Sequence, residues 1–391
     1  STAGDKSSLI AGYGSTQTAG YDSILTAGYG SIQTAQENSS LTAGYGSTGI
    51  AGYKSSLIAG YGSTQTAGYD SILTAGYGST QTAQENSSLT AGYGSTGIAG
   101  DNSSLLAGYG SSLTSGMNSS LTAGYGSNQI SSHCSSLIAG PESTQIAGHK
   151  SMLIAGKTSS QTAGARSTLI AGIDSTQTSG DRSKLIVGAN GVQISGDRSK
   201  LLAGKNSVQT AGDRSKLLAG NNSYLTAGDR SKLISGEDCV LMAGDKSKLT
   251  AGKNSSLTAG AKSKLIGSTG CTLSGGENST LIFRCWDGEK YTNIKIFTGK
   301  DGIEADTPYK IDELDGSIIK VDGEVGDSVV EVDDEAGFSI VKVGDEVDDF
   351  IIKADGEAGV SVIKVGEEVD GHIVKVDDEV GDSIIKLDNE S

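Results

Sequence analysis

Thr16-Gln17-Thr18 sets two hydroxyls either side of an amide, and the pattern returns at Thr64/Thr66 and Thr80/Thr82. Between these rows, single threonines share a rung with isoleucine: Ile32/Thr34, Thr48/Ile50 and Thr96/Ile98. A second series, offset by eight residues, reads Ser40/Thr42, Ser88/Thr90 and Ser120/Thr122, with Ile72/Thr74 between. Such hydroxyls become nucleophiles only beside a base, and His133, His149 and His372 have no triad or ligand partners in sequence. No catalytic constellation is read. Rows of hydroxyls and methyls can do something else, which is to hold water. Threonine is β-branched and stiff at χ1, so its methyl and hydroxyl keep set positions. In a stack of strands the rows lie about 4.8 Å apart, with about 6.7 Å between outward residues of one strand. A flat grid on that scale can order water into an ice-like sheet. Rungs with isoleucine fit less well, and charged residues are nearly absent from these rows.

A grid needs elements that hold it, and the sequence names them by period. Serine recurs every eight residues from Ser7 to Ser279 with few interruptions, among them Gly191, Cys239 and Cys271. Alternate octads differ, so the full repeat is sixteen, and residues 8 to 31 nearly match 56 to 79, a third level at forty-eight. Each sixteen holds two short β-prone segments separated by Ala-Gly turns. Two three-residue strands bury no core alone, but stacked coils cover one another. The fold read here is all-β: a β-solenoid of 16-residue coils with a C-terminal cap and a second short-repeat β region. It has roughly 17–18 coils and a length of roughly 85 Å. Alternation turns the column Leu9, Leu25, Leu41 to Leu281 inward, with Gln17, Gln33, Gln65 and Gln81 as an inner amide column. Cys239 and Cys271 replace inward serines, whereas Cys134 falls one position off this phase, at a turn.

Composition sets the outer bounds. The 391 residues include 58 Gly and only 2 Pro, with 5% aromatics. The net charge of −16 is unevenly placed. Residues 312–391 carry 25 Asp/Glu against 6 Lys, while residues 1–311 carry 24 Lys/Arg against 21 Asp/Glu. The four cysteines show no metal spacing or dense disulfide framework. No cofactor and no metal are expected. There is no apolar run long enough to cross a bilayer and no signal peptide. Residue 1 falls inside a repeat, so a preceding export or anchoring segment is expected outside this chain.

The decoration of the coil changes along the array, and four regions are read. Residues 1–149 are water-organising coils. They carry a turn column of Tyr13, Tyr29, Tyr45, Tyr61, Tyr77, Tyr93, Tyr109 and Tyr125, either an aromatic ladder stabilising one edge or a self-association seam. Residues 150–266 are basic coils. One turn position becomes Lys150, Arg166, Arg182, Arg198, Arg214, Arg230, Lys246 and Lys262, and one strand position becomes lysine from Lys184 to Lys264. Asp181, Asp197, Asp213 and Asp229 stand beside the arginines and are expected to offset their mutual repulsion. Interleaved Asp and the lack of stacking aromatics speak against nucleic acid. Residues 267–311, with the only Trp, Trp286, break the period and read as a cap. Residues 312–391 are acidic β repeats of eleven, with strands beginning at 317, 328, 339, 350, 361, 372 and 383. Their acidity is read as charge for solubility and against edge pairing, with attraction to the basic coils of another copy as a further possibility.

"AGYGSTQTAG", the 8/16/48 hierarchy and the tyrosine column resemble the central repeats of bacterial ice nucleation proteins over about residues 1–310. The resemblance implies a tandem solenoid at the bacterial outer surface that templates ice, with TxT and SxT rows as water-organising motifs. It implies that arginine-rich coils, here Arg166, Arg182, Arg198, Arg214 and Arg230, drive assembly into multimers together with the tyrosine column. It places any membrane attachment in an N-terminal segment outside this chain. The eleven-residue repeats depart from the family pattern. Ice nucleation, with water and ice as partner, is therefore the first expectation. An antifreeze-type ice binder and a structural or adhesin surface fibre are the alternatives.

Overall fold

The structure, a computed structural model, describes residues 1–286, 290–312 and 316–321, and the backbone of four later strands. Chain contacts divide it into two units, Ser1–Gly323 and Glu324–Ser391.

The first unit is a parallel β-solenoid, and no helix occurs among the described residues. Each sixteen-residue coil contributes one strand to each of two sheets. Face A has seventeen strands, from Thr16–Thr18 to Thr272–Gly275, and face B has eighteen, from Ser8–Ala11 to Thr280–Trp286. Every strand pairs in parallel with its equivalent one coil on, so Thr16 lies beside Ile32 and Thr64 beside Thr80. Sixteen steps of about 4.8 Å make face A roughly 77 Å long.

Strands this short persist because three ladders cross-link the coils. Alternation buries the central residue of each strand and exposes its flanks, as in Thr16-Gln17-Thr18 and Ile24-Leu25-Thr26. Face B sends in leucines that are fully buried from Leu25 to Leu281. Face A sends in glutamines, whose Nε2 donates to the Oε1 one coil before: Gln33 to Gln17 at 3.0 Å and Gln81 to Gln65 at 2.9 Å. A second Nε2 bond crosses the core to face B, from Gln17 to the Thr26 carbonyl at 3.1 Å. From Gln129 to Gln209 the amide ladder is unbroken over six coils. The third ladder is serine. The Ser23 amide donates to Ser39 Oγ at 3.3 Å, and the motif repeats along both edges. Cys239 keeps the pattern, with its Sγ accepting from the Ser223 amide at 3.4 Å. Buried polar groups cost little when paired in this way.

Two turns close each coil, and each puts one residue at positive φ, such as Asp22 at 53° and Gly30 at 66°. Glycine before the turn has a different cause. A Cβ on Gly92 would sit 2.8 Å from the Tyr77 amide of the preceding coil, too close for any side chain. The turn after face A is called the arginine edge below, and the turn after face B the tyrosine edge.

Past Thr280 the stack stops growing. Thr280–Trp286 pairs antiparallel with Tyr291–Phe297, which covers the last B strand. Pro308–Ile311 closes the A edge antiparallel to Thr272–Gly275 and then pairs with Ile318–Lys320. Phe283 and Tyr309 are buried beneath these strands. Covering both terminal strands removes the unpaired edges that would otherwise recruit further chains.

In the second unit, Val330–Asp333 pairs antiparallel with Phe338–Val341, and Phe350–Ala354 with Val360–Lys364. The repeats beginning at 372 and 383, and His372 with them, lie outside the described residues.

Candidate water-organising faces and assembly edges

Face A carries Thr16, Thr18, Thr64, Thr66 and Thr80 exposed, and Thr34, Thr48, Thr82 and Thr96 half-buried. Face B carries Thr42, Ser88, Thr90 and Ser120 exposed, and Ser40 and Thr122 half-buried. All of these side chains leave the sheet on its outer side, because the residue between each pair is the buried glutamine, glycine or leucine of the core. Strand register sets them in columns: Thr64, Thr80 and Thr96 in one, Thr66, Thr82 and Ile98 in its neighbour. The array is two side chains wide and many coils long.

Several hydroxyls on the same columns escaped the sequence reading. Thr26 belongs to face B, and Thr114 to face A. Face A also continues past residue 149 through Ser160/Thr162 and Thr176/Thr178, in register with Thr144 and Ile146. The sixteen-residue phase contained that signal. It was overshadowed by the turn residues, which change chemistry earlier. Val192/Ile194 and Val240/Met242 carry no hydroxyl, whereas Thr210, Thr226, Ser256/Thr258 and Thr272/Ser274 restore it on the coils around them.

Along the tyrosine edge, Tyr13, Tyr29, Tyr45, Tyr61 and Tyr77 stack almost parallel, with ring centroids 4.8–5.2 Å apart. Tyr93, Tyr109 and Tyr125 tilt progressively, reaching 48° at the last pair. All eight are exposed. The Tyr125 hydroxyl is held above the usual tyrosine range, first by its hydrogen bond to Glu142 and then by desolvation.

On the other edge Arg166, Arg182, Arg198, Arg214 and Arg230 are exposed, each at positive φ between 57° and 63°. The adjacent aspartates do not pair with them. Asp181 Oδ1 accepts the Asp197 amide at 2.9 Å, and Asp197 and Asp213 accept the next amides at 2.8 Å. Each carboxylate thus ties its coil to the following one, and among the described residues the one ion pair within 4.0 Å is Lys320–Glu304. These aspartates thus stand beside the arginines without an ion pair to them within 4.0 Å. The backbone N–H, otherwise without an acceptor, competes better for the short carboxylate. His133 and His149 do the same work, with Nδ1 accepting the amides of His149 at 3.0 Å and Ala165 at 2.8 Å.

The ice nucleation protein repeat matches residues 1–24, 28–56, 51–72 and 76–104. The coils within residues 1–104 are therefore repeats of the ice nucleation protein type. An ice nucleation protein of Pseudomonas fluorescens is 67% identical over 42 residues, 11% of this chain and 4% of the relative. One of Xanthomonas campestris pv. translucens is 71% identical over 44 residues, 11% of this chain and 3% of the relative. One of Pseudomonas syringae is 64% identical over 54 residues, 14% and 4% respectively. The matches thus span only a few per cent of these ice nucleation proteins' own length. No solved structure matches the chain.

Proposed function

We propose that this solenoid is a non-enzymatic ice nucleator whose faces order water into the lattice from which ice grows. The observation that carries the reading is the outward, in-register column of threonines on face A. The physical argument has two parts. First, the serine and glutamine ladders hold the backbone of each rung from inside, so the hydroxyls and methyls move little and water orders against a fixed template. Second, a nucleating surface must be comparable in area to a critical ice nucleus. From Thr16 to Thr178 face A is about 48 Å long but only about 7 Å between its two outward columns. One copy is therefore a narrow strip, and wider templates need copies side by side. The exposed tyrosine ladder and the basic column on the opposite edge are the surfaces we assign to that assembly. Display on the outer surface of a bacterium, through a segment outside this chain, completes the reading.

Droplet freezing tests it. Replacing Thr16, Thr18, Thr64, Thr66, Thr80 and Thr82 with lysine leaves the core untouched, because all six point outward. The freezing temperature of droplets should then fall toward that of buffer, with the β-sheet circular dichroism unchanged. Unchanged freezing would remove face A from the mechanism. A chain that stays monomeric and retards ice growth without raising the freezing temperature would instead be an ice binder of the antifreeze type.

A further inference from the structure

Beyond Ser136 the outer surface of face B is rebuilt in a way that water ordering does not explain. Ile138, Ile154, Ile170, Ile186, Leu202, Leu218 and Ile234 form one unbroken aliphatic column over seven coils. In the coils before it the same column alternates, with Thr74, Thr90 and Thr122 between aliphatic residues. Ile138, Leu202 and Leu218 are 41%, 42% and 37% exposed, and Ile154, Ile170, Ile186 and Ile234 are half-buried. Beside this column runs the lysine column from Lys184 to Lys264, and beside that, on the edge, the arginines. Across one coil the order is Arg182, Lys184, Ile186, a strip about 13 Å wide with cations at one side and a greasy rail at the other.

The cations are held there against two costs. Arginine at positive φ is disfavoured over asparagine, and the tyrosine edge of the same coils does use Asn190, Asn206 and Asn222 at its positive-φ positions. Guanidinium groups about 4.8 Å apart also repel one another, and the neighbouring aspartates are engaged with backbone amides. Residues 150–266 carry 17 Lys/Arg against 8 Asp/Glu. The aspartates keep their charge and offset part of this, leaving a net excess of nine cations, and a surface that pairs that excess with a continuous aliphatic rail fits a partner with both features.

We propose that face B of coils 136–266 docks on the surface of a bilayer containing anionic phospholipid. The aliphatic rail enters the acyl boundary, and the lysines snorkel to the headgroup phosphates. Charge complementarity chooses this occupant over face B of a second copy, since two such faces brought together would oppose their lysine columns, and the aliphatic rail chooses it over the acidic repeats 312–391 of a second copy, which offer charge alone along their turns. The docking leaves face A on the far side of the coil, toward water. It also gives the chain a membrane contact of its own, separate from any anchoring segment outside it, and it does not depend on the water-ordering reading.

The test is flotation of the full chain with vesicles of equal parts phosphatidylglycerol and phosphatidylcholine, against phosphatidylcholine alone, at low salt. The chain should float with the anionic vesicles only. Lys184→Gln, Lys200→Gln, Lys216→Gln and Lys232→Gln together should weaken binding by roughly a hundredfold or more. Ile186→Thr, Leu202→Thr, Leu218→Thr and Ile234→Thr should weaken it about tenfold or more at unchanged charge. Threonine already fills this column at Thr122, so the coil accepts it. Three results would overturn the proposal: no flotation of the wild-type chain; binding by the threonine variant equal to wild type, which would mark a simple polyanion site; or self-association that the threonine variant abolishes while vesicles have no effect.

Discussion

The glutamine ladder makes a quantitative prediction. It breaks at Gly49, Gly97 and Leu225, and the last amide before each break, Gln33, Gln81 and Gln209, has a buried Oε1 with no hydrogen-bond partner. Gly49→Gln places a new amide between Gln33 and Gln65. Its Nε2 would donate to Gln33 Oε1 and across the core to the Ile58 carbonyl, and its Oε1 would accept from Gln65, as at every intact step. Three hydrogen bonds at about 1 kcal/mol each, plus about 0.5–1 kcal/mol for removing a strand glycine, outweigh about 1.5–2 kcal/mol of side-chain entropy. The net gain is about 2 kcal/mol. The added Cβ meets Leu57 Cδ2 at 3.4 Å, an ordinary contact. Gly97→Gln should gain much less. Its next neighbour in the column is Leu113, so the orphaned oxygen merely moves one coil on, and its Cβ lies only 3.0 Å from Leu113 Cδ2. Hydrogen exchange of the amides at 48–66 and at 96–114 reads each site locally, which suits an array that need not unfold as one unit. Slower exchange at 48–66 in the first variant, with little change at 96–114 in the second, is expected. Equal effects, or faster exchange in the first, would refute the ladder as a source of stability.

Three further outcomes follow from side chains outside the water-facing rows. His133→Ala with His149→Ala removes the Nδ1 acceptors, so exchange of the amides at positions 149 and 165 should rise; His133→Asn with His149→Asp, residue types that accept the equivalent amides elsewhere, should keep it slow. Cys134, exposed on its turn, should react with a thiol reagent in the folded chain, whereas Cys271 should react slower by orders of magnitude until unfolding, because burial pushes its thiol up and its Sγ donates to the Gly252 carbonyl at 2.9 Å. Glu304, whose carboxyl is held below the usual glutamate range by its hydrogen bond and charge pairing with Lys320, supports the cap above the unfolded-state glutamate pKa. That support is lost as pH falls through the lowered value, so the protection of the Tyr309, Lys310 and Ile311 amides, measured against their intrinsic exchange rates at each pH, should fall on acidification in the wild-type chain and much less in Lys320→Gln.

Much of the solenoid was legible because its period is strict. Serine every eight residues, leucine every sixteen and glutamine between them mark an inward set, and alternation then turns Thr16 and Thr18 outward. The interruptions of the ladder were equally visible, as Gly49 and Gly97, but their consequence depends on a third dimension, the position of the next amide along the axis. The tie each aspartate makes along the stack was hidden for the same reason. Asp181 is adjacent to Arg182 in sequence, yet its carboxylate points along the stack to the Asp197 amide. The face A rows at Thr162 and Thr178 were present in the phase, but the abrupt change at Lys150 and Arg166 drew the boundary of the hydroxyl array too early. The antiparallel pairing of Thr280–Trp286 with Tyr291–Phe297 has no periodic signature, and sequence could mark it only as a break.

The most direct measurement is droplet freezing by two variants, one that puts lysine in place of threonine on face A and one that puts threonine in place of lysine on face B. One variant replaces Thr64, Thr66, Thr80 and Thr82 on face A, and the other replaces Lys-bearing face B positions, Lys200 and Lys216, with threonine. The account predicts a fall of freezing temperature in the first and no fall in the second, with particle size followed in both. Equal freezing by the wild-type chain and the face A variant, at equal particle size, would contradict it.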